Sequence, residues 1–264
     1  MFDTMGFEEL PSTLFQYTSI ESLEKILASR SLRFSRLDQM NDPEEATAAD
    51  VPLAASSVFV SCWSVGHVEH IPMWSMYGRN FEGVRIKLPS NMFAGRESPM
   101  VFEKGGAIGS FSGQYSIVRK APAMSTSGCA IIGPNKIWYS DDPIYRNRNL
   151  VFRERGTAYF NPYDLGMVKS TYWAYEEEWR FKIAALAFES QFPDDQHFNE
   201  VTLDLVGYPV ETNVLFIPLA RSALDELEVT LGPRANAEAM KAVELILEKY
   251  VPRAKLTRSY IPIR

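Results

Sequence analysis

Two cysteines in 264 residues, Cys62 and Cys129, are too few for a disulfide framework or a four-ligand zinc cluster. Histidine is scarce as well. His67 and His70 have the spacing of two ligands on one helical turn, but His197 is remote in sequence, so no metal site is expected. An excess of positive charge is also missing: 27 Lys and Arg against 33 Asp and Glu give a formal net charge of -6. That balance argues against binding nucleic acid over the whole surface and leaves room only for a local basic patch. No apolar run approaches a membrane span, and the first ten residues carry Asp3, Glu8 and Glu9 instead of the basic and apolar regions of a signal peptide. Together these absences predict a protein of a reducing, cytoplasmic compartment with no membrane association. Two catalytic motifs are absent too. Gly105-Gly106-Ala107-Ile108-Gly109-Ser110 lacks the lysine of a phosphate loop, and Ser61-Cys62 lacks the strand-turn-helix setting of a nucleophile elbow.

What is present is enough apolar residue, 46% of the chain, to bury a sizeable core, with no internal repeat, low-complexity tract or linker. A single α+β domain over residues 1–264 is the expectation. Thr18-Ser19-Ile20-Glu21 has the spacing of a capping box, and apolar residues at helical spacing run on to about Ser29. Residues 32–35 read as a strand, and Asp42-Pro43-Glu44-Glu45 as a helix start with a cap and a first-turn proline. Residues 57–64 and 83–88 read as strands, and residues 71–77 as a short helix. Glycines interrupt every pattern between residues 89 and 156, where hairpins and loops are expected. Beyond them the sequence predicts a helix over 161–171, a strand over 178–186, a turn at Pro193-Asp194-Asp195 and a strand over 214–219. An amphipathic helix over 236–250 and a last strand over 254–261 close the chain.

The most suggestive chemistry lies in residues 173–183. In an extended segment alternate side chains share a face, so Glu176, Glu178, Arg180 and Lys182 point one way and Trp179, Phe181 and Ile183 the other. The charged row is either the solvated face of an edge strand or the lining of a cleft. In a cleft, repulsion between the two carboxylates raises one pKa while Arg180 holds the other ionised, a pattern suited to acid/base work or to stabilising a cation. Arg146, Arg148, Arg153 and Arg155 form the densest basic stretch, which is either a nucleic-acid contact or a solvated face.

The run Trp173-Ala174-Tyr175-Glu176-Glu177-Glu178-Trp179-Arg180, preceded by Lys169, resembles the hallmark of a widespread bacterial domain family of unknown function. Phe15-Gln16-Tyr17-Thr18-Ser19, Leu32-Arg33-Phe34-Ser35 and Asn41-Asp42-Pro43-Glu44-Glu45 resemble its opening. Phe59-Val60-Ser61-Cys62-Trp63-Ser64 and Met73-Trp74-Ser75-Met76-Tyr77-Gly78 resemble its second block, and Leu231-Gly232-Pro233-Arg234 its closing turn. More distantly, the order of parts is similar to that of DarT-type ADP-ribosyltransferases. That resemblance implies a split, mostly antiparallel β-sheet core with flanking helices, and NAD as substrate. It implies Glu178 as the catalytic carboxylate, Glu176 as the residue orienting the acceptor, and Arg180 beside them. Tyr17, Thr18, Arg36, Ser61, Trp74 and Tyr77 become the NAD-binding candidates, with Arg33 an alternative to Arg36 at the diphosphate. Thr18 is equally explained as a helix cap, and Trp74 and Tyr77 as the core face of a short helix. The implied activity is NAD-dependent ADP-ribosyl transfer to a macromolecular acceptor, nucleic acid or protein. A toxin or phage-defence setting and an antitoxin or regulatory partner go with it. The alternatives are a non-catalytic nucleotide-binding domain and a hydrolase of the N-glycosidic bond of NAD.

Overall fold

The computed structural model describes residues 10–94, 99–104, 107–112, 124–125, 131–154, 157–160, 164–184, 188–189 and 213–263. For 99–104, 107–112, 124–125, 152–154, 157–160 and 188–189 it gives the course of the strands alone. The fold is mixed α+β, built on open, mostly antiparallel sheet. The principal strands are β1 (Thr13–Thr18), β2 (Ser31–Arg36), β3 (Val58–Ser64), β4 (Val84–Pro89), β5 (Ile131–Lys136), β6 (Glu178–Ala184), β7 (Val214–Pro218), β8 (Glu228–Leu231) and β9 (Lys255–Arg258). The α-helices are α1 (Ile20–Ser29), α2 (Ile71–Met76), α3 (Pro143–Arg146), α4 (Arg221–Asp225) and α5 (Ala237–Tyr250). Among the described residues no helix is long and apolar enough to cross a membrane.

The chain forms two compact units, and the division passes through α1 after Glu24 and through β3 after Cys62. The first unit comprises Met1–Glu24, Trp63–Met92 and Arg221–Arg264. In it β1 runs antiparallel to β4, β4 antiparallel to β8, and β8 parallel to β9. Leu14, Ile86, Val229, Leu231 and Val243 are wholly buried and make its core. Helix α5 starts at Asn236, whose Oδ1 accepts from the Ala239 N–H at 2.8 Å, and it buries Val243, Ile246 and Leu247 on one face. Helix α1 starts later than the capping-box spacing suggests. Thr18 stays extended opposite Val84, so Ser19 is the cap and accepts from the Ser22 N–H at 3.1 Å.

The second unit comprises Lys25–Cys62 and Phe93–Ala220. Strand β7 pairs antiparallel with β2, and β2 with β3; β6 lies between β3 and β5. An interior strand is covered on both faces, and β6 is buried from Glu178 to Ile183. Its apolar row packs into an aromatic stack, with the Phe181 and Phe93 ring centroids 4.9 Å apart and Phe93 to Phe34 5.4 Å. Its charged row is just as deeply buried: Arg180 and Lys182 are 0% exposed. Of the two readings of that row, the solvated edge strand is therefore excluded. Nearby, Leu37, Val51, Ala54, Val58, Val60, Leu150 and Leu165 form an apolar cluster against which Cys62 packs.

Two local expectations for this unit are corrected. Extended structure does not begin at residue 173: Thr171–Glu176 is a 3-10 helix capped by Ser170, and Glu177 turns the chain at φ 44, ψ 48 before β6 starts. A helix over 161–171 is not formed in its described part, because Gly166 sits at φ 67 and Val168–Lys169 pairs parallel with Trp138–Tyr139. Strands over 99–104 and 107–112 make a hairpin in the glycine-broken middle, as expected. The turn at 193–195 lies outside the described residues. Strand β8 and helix α4, four and five residues long, were not anticipated because neither is long enough to show a periodicity.

Candidate functional site

Four short segments of the second unit deliver charged side chains to one buried place. Strand β6 supplies Glu178 and Arg180. The 3-10 helix before it supplies Glu176, which the left-handed Glu177 turns inward although it is not on the strand. The two-residue strand Val168–Lys169 supplies Lys169, and the 3-10 turn Pro43–Ala46 supplies Glu45. Asp42 holds two of these segments together: its Oδ1 accepts from the Glu44 N–H at 3.0 Å and its Oδ2 from the Ser170 N–H at 3.3 Å. Asp141 fixes the same turn from outside, accepting from Ser170 Oγ at 2.8 Å and from the Thr171 N–H at 3.0 Å.

Within the cluster the Arg180 guanidinium grips Glu178 as a fork, Nη2 donating to Oε2 at 2.9 Å and Nε to Oε1. Its Nη1 donates to the Gly166 carbonyl at 3.0 Å and lies 2.6 Å from Glu45 Oε2. Lys169 Nζ donates to Glu176 Oε2 at 2.5 Å and to Glu178 Oε2 at 3.2 Å. The Tyr139 hydroxyl accepts from the Glu178 N–H at 2.9 Å, and Lys182 Nζ donates to the Leu165 carbonyl at 3.0 Å. None of Glu45, Lys169, Glu176, Glu178 and Arg180 is more than 5% exposed.

Burial this deep penalises every charge, and the neighbours decide which charges survive. Burial alone would raise the Glu178 carboxyl, but Arg180 and Lys169 beside it overcome that and bring it down to about 2. Lys169 is likewise kept above its ordinary value, because Glu178 and the other carboxylates outweigh its desolvation. Glu45 goes the other way. Its burial raises the carboxyl and Arg180 offsets only part of the rise. Burial also pushes up the Cys62 thiol, with Glu178 adding to the effect, and it brings Lys182 down to about 7, helped by Arg180. Three carboxylates thus surround two firmly charged cations, with Glu178 held ionised and Glu45 the readier to take a proton. Environments that push two acids apart in this way are how one site holds both a charge stabiliser and a proton acceptor.

Glu176, Glu178 and Arg180 are therefore brought together, although Glu176 arrives by a route that alternation along a strand did not foresee. The remaining candidates are distributed as follows. Tyr17 and Trp74 meet in the first unit, edge to face with ring centroids 4.9 Å apart. Trp74 is wholly buried and its indole N–H donates to Glu69 Oε2 at 2.7 Å, while the Tyr17 hydroxyl accepts from the His70 N–H at 3.3 Å. Arg85 joins this group: its guanidinium lies 3.8 Å from the Phe15 ring centroid and donates to the Gly66 carbonyl at 2.6 Å. Tyr77 is half-buried at the end of α2, and Thr18 is the last residue of β1. In the second unit Arg36 pairs with Asp38 at 2.7 Å, Arg33 is exposed, and Ser61 is buried in β3. Arg146 pairs with Glu44, and Arg148 Nε donates to the Tyr145 carbonyl at 2.9 Å. The Arg153 side chain and all of Arg155 lie outside the described residues. The His67 ring packs edge-on to Phe15, and His70 precedes α2.

Reasoning from sequence placed Glu45 in a helix start and did not weigh it as a site residue. The signal was available in Asn41-Asp42-Pro43-Glu44-Glu45, whose second acid follows the capped turn inward. Lys169 stood beside the acidic motif, but only the fold shows that its amine spans Glu176 and Glu178. Tyr139 carried no local signal, and Cys62 stood only within the Phe59–Ser64 block, with no sign that it would lie beside the charged row.

Fold and cluster together define an α+β protein with a mostly antiparallel sheet and an ionic centre buried against an interior strand. Residues 73–181, from the start of the Met73-Trp74 block to Phe181 just beyond Arg180, match the model of DUF2971, described as a protein of unknown function. No curated protein matches the chain. No solved structure matches it either.

Proposed function

We propose that the second unit carries the active centre of an NAD-dependent ADP-ribosyltransferase acting on a macromolecular acceptor, nucleic acid or protein. One observation carries this reading: Glu178 is buried yet held ionised, in a cluster of three carboxylates and two firmly charged cations. Breaking the bond between the nicotinamide nitrogen and ribose C1′ sends the electron pair to the pyridine ring, which leaves neutral. The ribose is left as an oxocarbenium ion. A fixed carboxylate in a water-poor site stabilises that cation more than water would. As the acceptor forms its bond to C1′, Glu45 takes the acceptor's proton, in keeping with its raised carboxyl. Glu176 orients the acceptor, and Arg146 and Arg148 meet the phosphates of a nucleic acid. Because Glu178 is 3% exposed, this reading requires the segments around it to open before substrate reaches it. A reducing cytoplasm, and a toxin or defence effector restrained by a partner, are the setting that fits this chemistry.

A second reading has an observation of its own. Glu178 and Arg180 saturate each other in a fork with almost no exposure, which favours a structural cluster within a non-catalytic nucleotide-binding domain. Incubation with NAD labelled on its adenylate and cell lysate, followed by separate nuclease and protease digestion, separates the cases. Transfer leaves the label attached to nucleic acid or protein. Hydrolysis releases nicotinamide with no attached label, and pure binding gives neither. In the Glu178→Gln variant, transfer is expected to fall about 10² to 10³-fold, about 2.7 to 4 kcal/mol, with the fold retained by circular dichroism. Full activity in that variant would remove Glu178 from the chemistry.

A further inference from the structure

The 3-10 helix Thr171–Glu176 is packed differently from the chain on either side of it. Val168, Lys169 and Ser170 before it are buried, and so is β6 after it from Glu178 to Ile183. Within the helix Glu176 is the one buried residue, and Tyr172 is 85% exposed. Trp173 and Tyr175 are only half-buried, and the Trp173 ring rests on the Lys169 amine, whose Nζ is 4.7 Å from the ring centroid. A segment that puts no apolar side chain fully into the core opens more readily than the buried strands beside it, because apolar burial is what local unfolding has to reverse.

Polar contacts close it instead. On the inner side Glu176 pairs with Lys169. On the outer side the Asp141 carboxylate accepts from the Thr171 N–H at 3.0 Å, from the Thr171 hydroxyl and from Ser170 Oγ at 2.8 Å. Asp141 is anchored apart from the segment it holds: its carbonyl accepts from Arg146 Nη2 at 3.2 Å, and Asp142 after it caps α3. Both ends of the segment are marked. The Ser170 N–H is tied to Asp42 Oδ2 at 3.3 Å, and Glu177 takes the left-handed conformation at φ 44.

We infer that Thr171–Glu176 is a strap over the ionic cluster, which opens as a unit between Ser170 and Glu177 while both flanks stay folded, and that Asp141 is its latch. Opening carries Glu176 and Trp173 off Lys169 and bares that amine to solvent. The strap follows from the packing alone, whereas its use as the way in to Glu178 rests on the transferase reading.

Hydrogen exchange of backbone amides, followed by NMR on the full chain at rising urea below the unfolding transition, tests it. The strap is read at the Trp173 and Glu177 amides, which donate to the Ser170 and Ala174 carbonyls. The flanks are read at Ser140 and Ile137, which donate to the Lys169 and Glu178 carbonyls at 2.9 Å. Trp173 and Glu177 are expected to share one protection factor, lower than that of the flanks, with almost no dependence on urea; the flanks should show the steep dependence of global unfolding. Asp141→Ala should speed the two strap amides together by about tenfold or more, the loss of at least one hydrogen bond to a charged group, and leave Ser140 and Ile137 unchanged relative to the variant's own global stability. Thr171→Val, which removes only the hydroxyl contact, should act in the same direction and less. Strap amides as slow and as urea-dependent as Ile137, unequal protection at Trp173 and Glu177, or no effect of either variant on them would each overturn the inference. NAD turnover is scored separately. Independent opening without turnover keeps the strap and removes the transferase reading, whereas turnover in a protein whose strap opens only with the flanks does the reverse.

Discussion

Arg180 is the residue on which the buried charges depend. It is 0% exposed, forks onto Glu178, touches Glu45 and donates to the Gly166 carbonyl. Replacing a buried ion pair whole is often tolerated, but removing one partner leaves the other charge buried and unpaired, at about 3 to 5 kcal/mol. Arg180→Met is therefore expected to lower unfolding stability by that order in urea titrations. A loss below about 1 kcal/mol would mean that solvent reaches Glu178 and Glu45 after all. The same residue explains why two acids in one small space behave differently: Glu178 faces the open fork and Lys169, while Glu45 has only the end nitrogen.

At the scale of elements, the hinge between the 3-10 helix Thr171–Glu176 and β6 is Glu177, an exposed residue in the left-handed region at φ 44. That conformation is what lets Glu176 and Glu178 converge on Lys169 from different elements. A β-branched residue there meets its own backbone, so Glu177→Ile is expected to cost about 1 to 2 kcal/mol, while Glu177→Gly should be neutral or slightly stabilising. Thermal unfolding of the two variants is the measurement, and equal midpoints would contradict the turn. Elsewhere the caps behave as ordinary chemistry predicts. Asn236→Ala at the start of α5 removes the acceptor of the Ala239 N–H and should lower stability by about 0.5 to 2 kcal/mol in urea titrations.

For the whole molecule, burying titratable groups makes stability depend on pH in two opposite ways. Lys182 is lowered from 10.5 to about 7 in the folded protein, so between those values the unfolded chain holds the extra proton. Its contribution to stability therefore rises as pH climbs from about 7 to 10.5. The raised Cys62 thiol and Tyr139 phenol act in the opposite sense at alkaline pH. The difference between the parent and Lys182→Met isolates the lysine: the parent should gain stability relative to the variant over that interval, and parallel curves would refute the assignment. On the acid side Glu178, lowered from 4.5 to about 2, contributes stability above 4.5 that is lost as pH falls toward 2. Glu178→Gln should flatten that limb.

How much of this was legible from residue order follows the range of the forces involved. Short-range patterns located β2, β3, β4, β7, α2 and α5 to within a residue or two, because capping, alternation and helical periodicity are local. The pairing of Glu178 with Arg180 was visible for the same reason, two residues apart on one strand face. Sequence alone left open whether that face met water or protein. Only the tertiary structure decided it, by placing β6 between β3 and β5 with both faces covered. It also brought in Glu45 and Lys169, from segments more than a hundred residues apart, and gave the two acids their opposite proton affinities. The physical reason is that burial and charge pairing depend on distance in space, and spacing along the chain does not encode that distance once a contact leaves its own element.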